Sequence, residues 1–168
     1  VIGGVGLINK LSKPISHNFK KDKNVIILVG KTFGHLEQSC FLRENYKIFD
    51  GIPPDINLLN EKNNGENVLK LIQNKLILSS HDISDGGLIL ALCEMSISSS
   101  YGAIIKKPQK LTNLFKYFFG EDQGRYLLEV EPSNLTKVEK SLKDSNIYYE
   151  NIGFTQKDYF EIEGELKI

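Results

Sequence analysis

Apolar positions along this chain fall into short runs and helical stripes, separated by polar turns that carry glycine or proline. Val25 to Val29 is an unbroken apolar run closed by Gly30, the pattern of a buried strand. Leu76 to Leu78 is a shorter run with strand character, and Leu88, Ala91, Leu92 and Met95 then recur at helical spacing. Leu36, Cys40 and Arg43 share a helical face, so a helix is expected within residues 34–46. Residues 57–75 place Leu58, Leu59, Val68, Leu69 and Ile72 on a further helix, weakened in its middle by Gly65. Before it, Gly51 to Asn57 reads as a rigid turn, since Pro53 and Pro54 fix φ and remove two donors; Asp55 or Asn57 can cap the helix that begins there.

Further on, Tyr101 to Ile105 has strand character, and Leu111, Leu114, Phe115 and Phe118 are spaced as a short helix. Arg125 to Val130 alternates as a strand, and Pro132-Ser133 opens a helix with Leu135, Val138 and Leu142 on one face. Ile147 to Phe154 and Tyr159 to Ile162 close the pattern as strands. Residues 10–24 are polar and lysine-rich, an exposed connection, and Val1 to Leu7 reads as the end of a strand. Helices between non-adjacent strands predict an α+β fold, a mixed β-sheet layered with α-helices.

At 168 residues the chain fits one domain, 1–168, with residues 1–10 as the end of a preceding domain or a linker. Its start at Val in the compact V-I-G-G-V-G-L is what a piece of a longer polypeptide would show. Lys plus Arg equals Asp plus Glu at 21 each, so no overall field draws the chain to nucleic acid or to an anionic membrane. The apolar runs fall far short of the roughly 18 residues a membrane span needs. Cys40 and Cys93 have no C-x-x-C or Cys/His spacing around them, which argues against structural zinc and a disulfide framework and fits a reducing, cytoplasmic setting.

Chemistry concentrates in L-I-L-S-S-H-D-I-S-D-G-G-L, Leu76 to Leu88. A turn from a strand into a helix presents unpaired N–H groups and the positive end of the helix dipole, which suits phosphate oxygens. Asp82 and Asp85 in that turn would repel a bare phosphate. They favour a phosphate bridged by Mg²⁺, held by one or two carboxylates and completed by phosphate and water. The same residues also fit a plainer role: Ser84 or Asp85 as the N-cap of a helix starting near Gly86, and His81 as a hydrogen-bonded core histidine. A second constellation is Phe119-Gly120-Glu121-Asp122-Gln123-Gly124-Arg125, where two glycines bracket polar side chains at the start of a strand. It suits either a polar ligand or an ordinary acidic turn. Arg43 and Arg125 are the chain's arginines, the residue type suited to forked recognition of phosphate or carboxylate. His17, His35 and His81 are scattered, and no sequence neighbour marks a nucleophile.

H-D-I-S-D-G-G-L with A-L-C-E-M, then F-G-E-D-Q-G-R, resembles the C-terminal part of the phosphoribosylformylglycinamidine synthase family. V-I-G-G-V-G-L, G-K-T-F-G-H-L and P-P-D-I-N-L fall in the order that family shows, so the resemblance spans nearly the whole chain. It implies an AIR synthase-like C-terminal domain of an ATP-dependent ligase of purine biosynthesis. There ATP activates the formylglycinamide amide oxygen as an iminophosphate and glutamine-derived ammonia displaces phosphate. By this resemblance Asp82 matches a Mg²⁺ ligand, and Ser84, with Asp85, Gly86 and Gly87 in its turn, contacts ATP or ADP at an auxiliary site. Glu121 and Gln123 correspond by pseudo-symmetry to substrate-binding residues of the other half, and no catalytic residue falls in this stretch. The implied partners are the preceding domains, a glutaminase subunit and a small bridging subunit. A structural half-domain with a capping turn, or another enzyme of the superfamily, remains the alternative. One departure stands out: where the family has L-G-G-S, this chain has Leu36-Glu37-Gln38-Ser39, which argues against close backbone approach to a phosphate at that spot.

Overall fold

The structure is a computed structural model that describes residues 5–6, 14–108 and 113–168. Its elements in chain order are β1 (Val25–Val29), α1 (Cys40–Tyr46), α2 (Leu58–Gln73), β2 (Ser79–Asp82), α3 (Gly87–Ile97), β3 (Gly102–Ile105) and α4 (Leu114–Phe119). There follow β4 (Tyr126–Val130), a 3₁₀ turn (Pro132–Asn134), α5 (Leu135–Asp144), β5 (Tyr149–Gln156), β6 (Glu161–Ile162) and β7 (Leu166–Lys167). The seven strands form one sheet in the order β2-β4-β1-β5-β3-β6-β7. Pairing is antiparallel except between β3 and β6, so the sheet is mixed, as expected.

Alternation along the central strands divides the interior in two. Ile26 and Leu28 of β1 and Leu127 of β4 face α3 and α4, where Leu88, Ala91, Leu92 and Met95 are all buried. Ile27 and Val29 face the opposite side with Leu128 and Val130, against Val68 and Leu71 of α2 and Val138 and Leu142 of α5. Helices thus cover both faces of the α+β sheet, and burial of these two stripes is the main stabilising term.

Several expectations are corrected. The strand expected at Leu76 to Leu78 begins three residues later, at Ser79. Ile77 is buried, with Leu76 packed beside it, in the core on the α2 and α5 side, while the edge strand itself is polar because Ser79 donates from Oγ to buried Glu129. The helix expected across 34–46 shortens to Cys40–Tyr46, since the N–H groups of Gly34 and His35 are drawn to Asp122 and Gln38 has φ of 56°. On α2 the buried residues are Asn64, Asn67, Val68 and Leu71, whereas Leu58, Leu59 and Leu69 are exposed. Asn57 caps it, accepting from Asn60 N–H at 3.0 Å. The lysine-rich connection is not exposed throughout, because Phe19 and Asn24 are buried. The closing strand narrows to β6, and β7 adds an edge that no periodicity marked. The strand expected at Val1 to Leu7, residues 10–13 of the connection and Leu111 lie wholly or mostly outside the described residues.

Candidate functional site

The C-terminal ends of β1 and β2 and the N-terminal ends of β4 and β5 meet at one end of the sheet, through the register pairs Val29 with Tyr126, Asp82 with Tyr126, and Val29 with Tyr149. Three connections converge there: residues 30–39, the turn Ile83–Gly86 and the turn Gly120–Arg125. Ile83 N–H donates to Arg125 O at 3.0 Å, locking the second to the third.

The turn between β2 and α3 has two kinds of residue. Asp82, Ser84 and Asp85 are exposed, with the Asp82 side chain 72% open to solvent. Gly86 and Gly87 are buried. Gly86 is itself the N-cap of α3, at φ of 77°, and no side chain caps the helix from the turn. The capping role considered for Ser84 and Asp85 is therefore corrected: the acceptor comes from 35 residues away, Glu121 Oε1 receiving Gly86 N–H at 2.8 Å. Gly87 has φ of 69°, and a Cβ there would stand 2.6 Å from Gly120 O, so only glycine lets the turn press on the Gly120 loop. The two glycines shape the turn and leave the carboxylates and hydroxyl to face outward.

Glu121 also accepts Cys40 N–H at 2.7 Å, so one carboxylate oxygen serves the first amide of α1 and the N-cap amide of α3 together. Its neighbour Asp122, which the sequence did not single out, accepts the consecutive N–H groups of Phe33, Gly34 and His35 at 3.0, 2.9 and 3.1 Å. Arg125 is 1% exposed and donates inward to Asp122 O, Thr32 Oγ1 and Gly120 O. Burial pushes its pKa down, and the Asp122 carboxylate 3.9 Å away works against that. Arg125 is thus a brace rather than a phosphate fork. Arg43 lies at the surface paired with Glu44, with Asp85 adding a smaller pull in the same direction on its pKa. His81 is largely enclosed, with Nε2 2.9 Å from Glu94 and its ring 5.2 Å from that of His17.

Beside this turn opens a cleft of about 1050 Å³. Lys31, Asn57, Asn60, Glu61, Asn64 and Gln123 are among the residues lining it. Of the turn Gly120–Arg125, Asp122, Gln123 and Gly124 border it, whereas the expected ligand-binding residues Asp82, Ser84, Asp85, Gly86, Gly87 and Glu121 do not. Half-buried Tyr126 is in electrostatic reach of both features: its pKa is raised by burial first, then by Glu61 of the cleft and Asp82 of the turn. The cleft's asparagines were not legible as a site, since their polar side chains sit among residues that read as a helix interior.

Among the described residues no group of three or more His, Cys, Asp or Glu is placed to hold a metal ion. Mg²⁺ takes as few as one or two protein carboxylates and completes its shell from phosphate and water; Asp82 and Asp85 are the exposed carboxylates of this turn.

Replacing Glu121 by alanine leaves two helix N-terminal amides without an acceptor. The expected loss is about 1–2 kcal/mol of unfolding free energy, by the usual magnitude for a lost cap, with faster hydrogen exchange at Gly86 and Cys40. Unchanged exchange there would show that water replaces the carboxylate without cost.

Residues 21–163 match the family model for AIR synthase related protein, C-terminal domain. The chain is 44% identical over 167 residues to phosphoribosylformylglycinamidine synthase subunit PurL of Pelagibacter ubique, covering 99% of this chain and 23% of that relative. It is 40% identical to the PurL subunit of Rhodopseudomonas palustris, again over 99% of this chain and 23% of the relative. The chain thus spans about a quarter of the length of the curated relatives it matches. Among solved structures, Thermotoga maritima PurL complexed with FGAR superposes with a TM-score of 0.73 at 14% identity, covering 92% of this chain and 28% of that one. The same protein complexed with ATP gives 0.71 at 14% identity, covering 92% and 26%. A chain of the HypE-HypF complex gives 0.64 at 17% identity, covering 92% and 54%.

Proposed function

Because this chain belongs to the AIR synthase related protein, C-terminal domain family, we propose that it is such a domain of a phosphoribosylformylglycinamidine synthase and contributes one wall of a nucleotide–Mg²⁺ site. The observation that carries the reading is 44% identity to a PurL subunit across 99% of the chain, joined to an outward-facing Asp82, Ser84 and Asp85 on a strand-to-helix turn. The reaction is the ligase step that converts formylglycinamide ribonucleotide, ATP and ammonia to the amidine. Residues 1–168 act as one domain of a longer chain, with the preceding domains, a glutaminase subunit and a small bridging subunit as partners. The compartment in this reading is the cytoplasm. Separately, no helix among the described residues is long and apolar enough to cross a membrane.

In this reading Asp82 would hold Mg²⁺, and Ser84 and Asp85 would meet the nucleotide beside it. When bound, the metal would supply positive charge against the phosphates. Gly86 and Gly87 set the turn's course, and Glu121 holds it at the α3 terminus. Glu121's carboxylate is therefore a support of the site, while Gln123, on the cleft wall, is the better placed of the two to meet a substrate. The catalytic groups lie in other domains.

The full polypeptide, given formylglycinamide ribonucleotide, Mg-ATP and ammonia, should release ADP and phosphate with formation of the amidine, and this chain alone should release none. Phosphate release that does not depend on formylglycinamide ribonucleotide would reject the assignment in favour of another synthase of the superfamily.

A further inference from the structure

The stretch from the end of α1 into the first turn of α2 carries apolar side chains that the described residues leave open: Ile48, Phe49, Ile52, Ile56, Leu58 and Leu59 are 44–77% exposed. A single exposed apolar residue is ordinary, but six within residues 48–59 concentrate exposed apolar side chains in one segment, as interaction sites do. The segment is held in place rather than loose. His35 Nε2 lies 2.8 Å from Ile52 O, Gln38 donates from Nε2 to Gly51 O at 2.7 Å, and Glu37 Oε2 accepts Ile52 N–H at 2.7 Å. Pro53 and Pro54 fix the backbone beyond. Glu37 and Gln38 stand where the resembled family has glycines, and here their side chains brace this face. A preformed surface loses little entropy on docking.

We infer that residues 48–59 form an apolar docking face for another domain of the same polypeptide, held in shape by Glu37 and Gln38. This rests on reading the chain as one domain of a longer synthase. The occupant is set by length: the chain spans 23% of its curated relatives and 28% of the Thermotoga maritima chain it superposes on. A tethered domain meets the face at an effective concentration of about millimolar, so a small face interleaved with Asp50, Asp55 and Asn57 suffices. A free second copy would need roughly 800 Å² per partner. Pro54, Ile56 and Asn57 also line the cleft, so docking closes one of its walls.

Limited chymotrypsin digestion under native conditions tests this on three samples: this chain, the full natural polypeptide, and the full polypeptide carrying Ile52→Asp and Leu58→Asp. Cleavage after Phe49 and Leu59 is expected in this chain, about tenfold slower in the full polypeptide, and restored by the double variant at an unchanged melting temperature. Equal cleavage in the first two samples overturns the inference, as does protection that survives the double variant. A dimer of this chain in sedimentation, dissociated by the same substitutions, would assign the face to a second copy instead. Should the double variant unfold, the two wild-type samples still decide. Backbone protection does not depend on nucleotide, so loss of the nucleotide reading and loss of this one are separately visible.

Discussion

Glu129→Ala is expected to destabilise this chain by about 4 kcal/mol, lowering its melting temperature by roughly 10 °C. Glu129 is the penultimate residue of β4, with 0% exposure. Its carboxylate accepts the N–H groups of Lys20 and Lys21, at 2.9 Å for the shortest, with Asn24 Nδ2 and Ser79 Oγ both at 2.7 Å. Hydrogen bonds to an ionised group contribute about 1.5–3 kcal/mol each, and a buried donor left unpaired costs about 1–3 kcal/mol. Alanine orphans four donors at once and leaves a void, so the total is well above that of a typical substitution even if water re-enters. Glu129→Gln separates charge from shape. Its amide NH₂ would replace an acceptor of the Lys20 and Lys21 N–H groups or, turned to Ser79, force that hydroxyl from donor to acceptor, so about 2 kcal/mol should still be lost. Urea unfolding of both variants provides the check, and a loss under about 1 kcal/mol for alanine would mean that the four donors find other acceptors.

That carboxylate also shows what the amino-acid order could and could not reveal. Leu88, Ala91, Leu92 and Met95, or Val25 to Val29, were legible because burial follows the period of the element that carries them. In Y-L-L-E-V the same logic reads Glu129 as an outward position of an alternating strand. It is buried instead because the connection before β1 folds over it and supplies its partners from more than 100 positions away. Glu121 and Asp122 repeat the lesson: the turn was visible as a constellation, but their acceptor roles depend on amides 35 to 89 positions distant. Leu58 and Leu59 mislead in the other direction, since helical spacing marks an apolar residue without saying whether this chain or another one covers it. The acid-bearing turn was legible because a strand, two small residues and a helix succeed one another locally. Its helix-capping alternative fell only when Gly86 proved to be the N-cap.

The site reading stands or falls on Asp82. Its side chain is exposed and makes no short hydrogen bond among the described residues, the approach to His81 Nδ1 being 3.5 Å, so Asp82→Asn should leave the fold intact. A metal that draws one or two carboxylates from the protein loses a large share of its anionic ligands when one becomes neutral. A charged interaction of about 1.5–3 kcal/mol corresponds to a loss of affinity of roughly 10- to 100-fold. The full polypeptide is the right sample, because the proposed site takes its other walls from domains outside this chain. Calorimetric titration of Mg-ADP into wild-type and Asp82→Asn polypeptide, with melting temperatures measured alongside, is the direct measurement. A class of bound nucleotide weakened by that factor at an unchanged melting temperature is the predicted result, and identical titrations of the two proteins would contradict the account.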